Sequence, residues 1–174
     1  MAKDNWTFDI ANPKVLAENA DCVLKVRITD ANKEAEFLQD SKGAYSPVPG
    51  TKLQATVLKI LHGNETNREI TIYNPGGKVL IKNVIAFYPF THQIENMGLN
   101  ALSDEIKNTN YISFKNTSHF YIKPNEEYVF VLKQDDRGNY HILGGGYGVF
   151  RQEPVIASTL QDYKNVLTGI PLFF

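Results

Sequence analysis

Cysteine is almost missing from this sequence: Cys22 stands alone, which excludes an internal disulfide. It lies in DCVLKVRI, on the same alternating face as Leu24, Val26 and Ile28, where a small buried hydrophobe fits better than a nucleophile. An excess of either charge is missing too. The formal net charge is -1, and Lys and Arg are scattered singly, so no field favours nucleic acid or an anionic membrane. No run approaches the roughly 18 apolar residues of a membrane span, and MAKDNWTFDI has no apolar core of a signal peptide.

The residues that are present point to a soluble β-rich domain. The chain has 174 residues, 43% of them hydrophobic and 21% charged, enough for one domain with a real core. Nine tyrosines and ten phenylalanines suit pleated surfaces. Asn12-Pro13 reads as a helix entrance, with Asn as cap and Pro at the first helical position. Strands are expected from about Cys22 to Thr29 and from about Lys52 to Leu61. In the second, Leu53, Ala55 and Val57 share one face while Leu58 and Ile60 take the other, so a bulge midway is one reading and cover on both faces the other. REITIYN returns as a third strand, and Asp135-Asp136-Arg137-Gly138-Asn139 is hairpin chemistry between two further strands. VLIKNVIAFYPF reads as a strand or a buried rim, and ALSDEIKN as a short helix with Leu102 and Ile106 at i,i+4. The tail reads as a helix capped by Ser158, with Leu160, Tyr163, Val166 and Leu167 as one stripe.

Each motif that promises chemistry has a simpler explanation. ILGGGYGVF, from Ile142 to Phe150, fails the dinucleotide pattern and lacks the Gly-Lys-Ser/Thr of a Walker loop. The segment VFRQEPV, directly after the glycines, is strand-like, so no helix N-terminus waits for phosphate. The glycines suit a tight turn or a bulge that bends a strand round a barrel corner. DDRGN lacks the distal glutamate of a calcium loop. His62, His92, His119 and His141 form no metal-binding spacing, and Ser46 has no evident base. Asp104-Glu105 and Glu126-Glu127 are solvated faces. Phe87, Tyr88, Phe90, Tyr111, Phe114, Phe120 and Tyr121 cluster in the middle of the chain, as core or as a protein-binding patch. Base stacking would require more cations than Lys82, Lys107, Lys115 and Lys123 supply. Asn5-Trp6-Thr7, Asn64-Glu65-Thr66 and Asn116-Thr117-Ser118 fit the glycosylation pattern, a match expected by chance in a chain rich in Asn, Ser and Thr.

A resemblance adds to this reading. The order is a short helix, ADCVLKVRI, Tyr45 ahead of a strand, VLKILHGN, a strand ending YNPGG, KPNEEYVFVLKQDDRGNYHILGGGYGVF and a terminal helix. It resembles a group of small exported proteins and lipoprotein domains of Gram-positive bacteria, similar in turn to the netrin-like or tissue-inhibitor type of OB barrel. The likeness covers most of the chain outside about 78–118, and lacks the disulfides general to netrin-like domains. It implies export, with a leader removed ahead of Met1-Ala2-Lys3, and an extracytoplasmic, cell-surface or secreted location; the alternative is a cytoplasmic one. The matched positions, Gly63, Pro75, Gly76, Gly77, Tyr128 and Gly144 to Gly148, are turn and core positions, so it assigns no catalytic residue.

The expected fold is therefore mainly β: an antiparallel, five- to six-stranded OB-like barrel with short N-terminal and C-terminal flanking helices. One domain spans the chain, with barrel core at about 20–77 and 119–156, an irregular excursion at about 78–118 and a C-terminal helix at about 158–168. The expected function is a non-catalytic binding or accessory module at the bacterial envelope, recognising a protein or other ligand through the 78–118 excursion. Candidate binding residues are Phe87, Tyr88, Phe90, His92, Tyr111, His119 and Tyr147, with no cofactor, metal or catalytic residue assigned. One alternative is a hydrolase built from His92, His119 and Asp104; another is an oligonucleotide-binding OB protein, which requires a basic groove.

Overall fold

Apolar residues at alternate positions put Cys22, Leu24, Val26 and Ile28 on one buried face of the first strand. In the computed structural model, which describes residues 7–88, 90–152 and 163–172, that face lines the inside of a closed barrel. The strands are β1 (Cys22–Ala31), β2 (Gly50–His62), β3 (Glu69–Pro75), β4 (Gly77–Leu80), β5 (Tyr111–Phe114), β6 (Glu127–Gln134), β7 (Tyr140–Ile142), β8 (Val149–Gln152) and β9 (Tyr163–Asn165). The helices are α1 (Pro13–Glu18), α2 (Ile81–Phe87), α3 (Thr91–Asn96) and α4 (Asp104–Thr109).

Five strands close the barrel in the order β1-β2-β3-β7-β6, with β6 pairing back onto β1. Every pair is antiparallel except β3–β7, which meets in parallel through Ile72–Tyr140 and Tyr73–His141. This is the strand order of an OB barrel, as expected. Its interior is filled by the β1 face together with Leu53, Ile72, Tyr128, Phe130 and Ile142. Each such side chain contributes about 1.5–3 kcal/mol by burial. The bulge in β2 is real: Lys25 pairs with Lys59 and Val26 with Val57, leaving Leu58 as the extra residue and both Leu58 and Ile60 exposed.

β1 and β6 are covered on their outer faces as well. α1 starts where the sequence predicts, with Asn12 Oδ1 accepting from the Lys14 and Val15 N–H groups, and it buries Leu16 and Ala17 against Val23, Val129 and Val131. Phe150 and Leu172 complete this second core.

The C-terminal helix expected at about 158–168 is corrected in part. Tyr163–Asn165 is a strand that pairs with β8, and Val166, Leu167 and Thr168 form a turn. Ser158 and Leu160 lie outside the described residues. The physical reason is Asn165, which is 5% exposed. Its Nδ2 donates to the carbonyls of Gly146, Tyr147 and Val149, and its Oδ1 accepts from Leu167 and Thr168 N–H, bonds a helix there would not make.

The glycine cluster bends the sheet. β7 pairs with Leu132–Gln134 of β6, whereas β8 pairs with Val129 and Phe130 along the same edge. Between them Gly144 is left-handed and Gly145–Gly148 form a single 3-10 turn, after which the chain enters a strand rather than a helix. The turn is so tight that a Cβ on Gly148 would lie 2.1 Å from Leu143 O, and one on Gly146 would lie 2.7 Å from Ser118 O.

The excursion is not irregular. β4 and β5 form a two-stranded ribbon, and α2, α3 and α4 fold between them over a third core of Val79, Ile81, Val84, Ile94 and Leu99. VLIKNVIAFYPF is mostly helical, because Ile81, Val84, Ile85 and Tyr88 recur at i, i+3, i+4 and i+7. Ala35 and Phe37 of the β1–β2 connection enter this core, and Glu34 Oε1 accepts from Leu80 N–H and Asn83 Nδ2 at the start of α2. The helix expected in ALSDEIKN forms as α4, capped by Ser103, but starts at Asp104, so Leu102 lies outside it.

Candidate binding site

The connection between β1 and β2 and the turn between β6 and β7 arch towards each other over the barrel wall. Asp135 builds that turn: its Oδ1 accepts from Arg137 and Asn139 N–H, and its Oδ2 lies 2.8 Å from His141 Nε2. Asp136 reaches across to the opposite loop and accepts from the Ser41 hydroxyl at 2.5 Å. Between the loops lies a cleft of about 360 Å3, walled by Tyr45, Ser46, Pro49, Asp135, Asp136 and His141. OB barrels carry ligands between the loops that join strands one to two and four to five, and this cleft occupies that place.

The polar groups of the cleft are well anchored. Tyr73 stacks on His141 with ring centroids 5.6 Å apart. Burial, reinforced by the Glu36 carboxylate, pushes the Tyr73 hydroxyl up to about 12. Partial burial of Asp135 works against its charge, but hydrogen bonds from His141, Asn139 and the turn N–H groups outweigh it and hold the carboxyl at about 2. Ser46 does not engage His141; its hydroxyl donates to Val48 O at 2.9 Å.

An aromatic surface adjoins the cleft. Tyr45 packs 6.2 Å from Phe87 of α2, centroid to centroid. Phe37, Tyr88 and Phe114 pack behind it in tilted and edge-on contacts at 5.4–5.6 Å, with Phe90 edge-on to Tyr88 at 5.3 Å. Phe87 and Phe90 remain 45% and 41% exposed, large values for phenylalanine rings.

The candidate residues read from the sequence therefore separate. Phe87, Tyr88 and Phe90 come together as one patch. His92 sits on the surface of α3 facing Glu95, and Tyr111 lies on the β4–β5 ribbon under the Lys78 ammonium. Tyr147 packs on the second core beside α1. His119 Nδ1 lies 2.9 Å from Pro75 O, whereas His92 faces Glu95 on α3 and Asp104 opens α4. Among the described residues no group of three or more His, Cys, Asp and Glu side chains is placed to hold a metal ion. The His141–Asp135 pair and the cleft are not legible in the sequence. The DDRGN turn and Ser46 each stand out there, but nothing local announces that they meet.

A second groove, beside β1, β6 and β8, is lined by Arg27, Glu126, Glu127 and Arg151. Its charges are spent on one another: Arg27 pairs with Glu127 at 2.8 Å, and Arg151 pairs with Glu126 while lying over the Tyr128 ring. No protein-family model matches the chain, and no curated protein shows significant similarity to it.

Proposed function

We propose that this protein is a non-catalytic binding module that captures a protein partner on the Tyr45–Phe87–Phe90 surface and the adjoining cleft. The observation that carries the reading is the continuity of the two: Tyr45 both walls the cleft and packs against exposed Phe87. A concave polar slot beside an exposed aromatic patch matches the anatomy of a protein interface, with an apolar anchor and a polar rim. The cleft's carboxylates, Asp40, Asp135 and Asp136, repel a polyanion, which favours protein over oligonucleotide. Against a hydrolytic reading, the Ser46 hydroxyl in the cleft is committed to Val48 O. Export to the bacterial envelope rests on the family resemblance.

The test is a displayed peptide library panned over the immobilised protein. Enriched peptides should bind the wild type and lose at least about tenfold in affinity to a Phe87→Ser/Phe90→Ser variant. They should bind normally to Leu58→Ser/Ile60→Ser, which alters exposed apolar residues elsewhere. No enrichment, or the reverse pattern, removes the proposal.

A further inference from the structure

The chain returns from the helical insertion to the barrel through residues 116–120, and this segment is clasped on two sides. Ser118 O accepts the Gly146 N–H of the glycine turn at 2.7 Å, and Phe120 O accepts Asn74 Nδ2 at the end of β3 at 2.8 Å. Between these bonds His119 Nδ1 lies 2.9 Å from Pro75 O. A carbonyl only accepts, so Nδ1 carries the proton and Nε2 of the neutral ring carries a lone pair. Nε2 is buried with no protein partner, and so is Oδ1 of Asn74, a residue only 3% exposed.

The surroundings oppose a charge on this ring. The end of β3 and the residue after it present Asn74, Pro75 and Gly76 there, none of them ionisable; a Cβ on Gly76 would lie 2.9 Å from Nδ1. The Tyr121 ring meets the imidazole edge-on at 5.0 Å, and the Lys115 ammonium lies over that tyrosine. Burial above all, with Lys115 adding to it, pushes His119 below the usual imidazole range despite the Pro75 carbonyl.

We propose that His119 is an acid-released latch: as a neutral imidazole it clasps the returning chain to the barrel, and on protonation at Nε2 it lets the insertion loosen. A protonated Nε2 is a buried donor that bonds no acceptor in this structure, so the imidazolium is favoured when the segment opens to water. The depressed group contributes stability that is fully present above the ordinary value of about 6.5 and is lost as pH falls through the folded one. The latch does not require the proposed binding role. If that role holds, capture weakens over the same range, because Phe87 and Phe90 ride on the insertion.

Amide exchange, corrected for intrinsic rates, is followed from about pH 7 to about pH 4.5 alongside the assigned His119 ring resonance. Protection in α2, β5 and residues 116–120 should fall by up to about tenfold per pH unit from about pH 6.5 down to the transition of the His119 ring resonance and level off below it, while β1 and β6 keep theirs. His119→Asn, which retains an amide donor for Pro75 O, should abolish the dependence. Lys115→Glu should move the transition to higher pH and serves if the first variant does not fold. Protection of the insertion that stays constant, an equal dependence in His119→Asn, or a transition unmoved by Lys115→Glu overturns the latch.

Discussion

Asn165 Nδ2 lies 3.0 Å from Gly146 O, and through this amide the last described strand holds the glycine turn in place. The same nitrogen reaches Tyr147 O and Val149 O at 2.8 and 3.1 Å. A bend made possible by missing side chains is thus kept from collapsing by one buried polar side chain. Replacing Asn165 with Ala orphans these carbonyls and should cost about 2–4 kcal/mol, read from the urea midpoint. Asp, which sets a carboxylate against the same carbonyls, should cost more. An unchanged midpoint in Asn165→Ala would show that the turn holds itself.

Two glycines with different surroundings make a matched comparison. Gly148→Ala drives a methyl into Leu143 O and should lower stability by about 3 kcal/mol or more. Gly43 has φ +84° and open space around it, so Gly43→Ala should cost only about 1 kcal/mol, the backbone term alone. Equal losses would contradict the steric account of the cluster.

Asp135 gives the fold an acid limit. Its carboxyl is held at about 2, below an unfolded value of about 3.9, so its stabilisation is complete above that value and fades as pH falls towards 2. Wild type should exceed Asp135→Asn by on the order of 2 kcal/mol at neutral pH, and the gap should close between about pH 4 and about pH 2. A gap that persists at the acid end would assign the difference to geometry rather than charge.

Cys22 should behave as an inert core residue. It is 1% exposed, and burial, then the Glu65 carboxylate, pushes its thiol up to about 11. Iodoacetamide near neutral pH should label it in urea but not in the native protein. Rapid native labelling would mean that the barrel opens at the Glu65–Tyr140 contact, where the hydroxyl donates to the carboxylate at 2.5 Å.

The insertion should be removable at one register. Leu80 and Tyr111 are paired at the open end of the β4–β5 ribbon, so an Asn-Gly turn replacing 81–110 converts the ribbon into a hairpin. The variant should keep the far-ultraviolet spectrum of a barrel while losing peptide capture. Global unfolding would show that Phe37 and Ala35 depend on the insertion for cover.

Much of the barrel is legible in the sequence because its signals are local. Alternation in DCVLKVRI and KLQATV assigns the interior faces, the switch from Val57 to Leu58 marks the bulge, and Asn12-Pro13 marks the α1 start. One local signal is masked: Ile81, Val84, Ile85 and Tyr88 have helical spacing, hidden within a run apolar enough to pass for a strand.

Local periodicity in the sequence by itself determined which residues face inward, and the glycine cluster determined that the chain bends after β7, because both depend on neighbours a few bonds away. Only tertiary structure decided that β3 meets β7 in parallel, that Tyr163–Asn165 pairs as a strand despite helical spacing, and that Tyr45, His141 and Asp135 share one cleft. Those outcomes depend on hydrogen bonds and packing between residues far apart in the chain. No short window of sequence carries the distance between them.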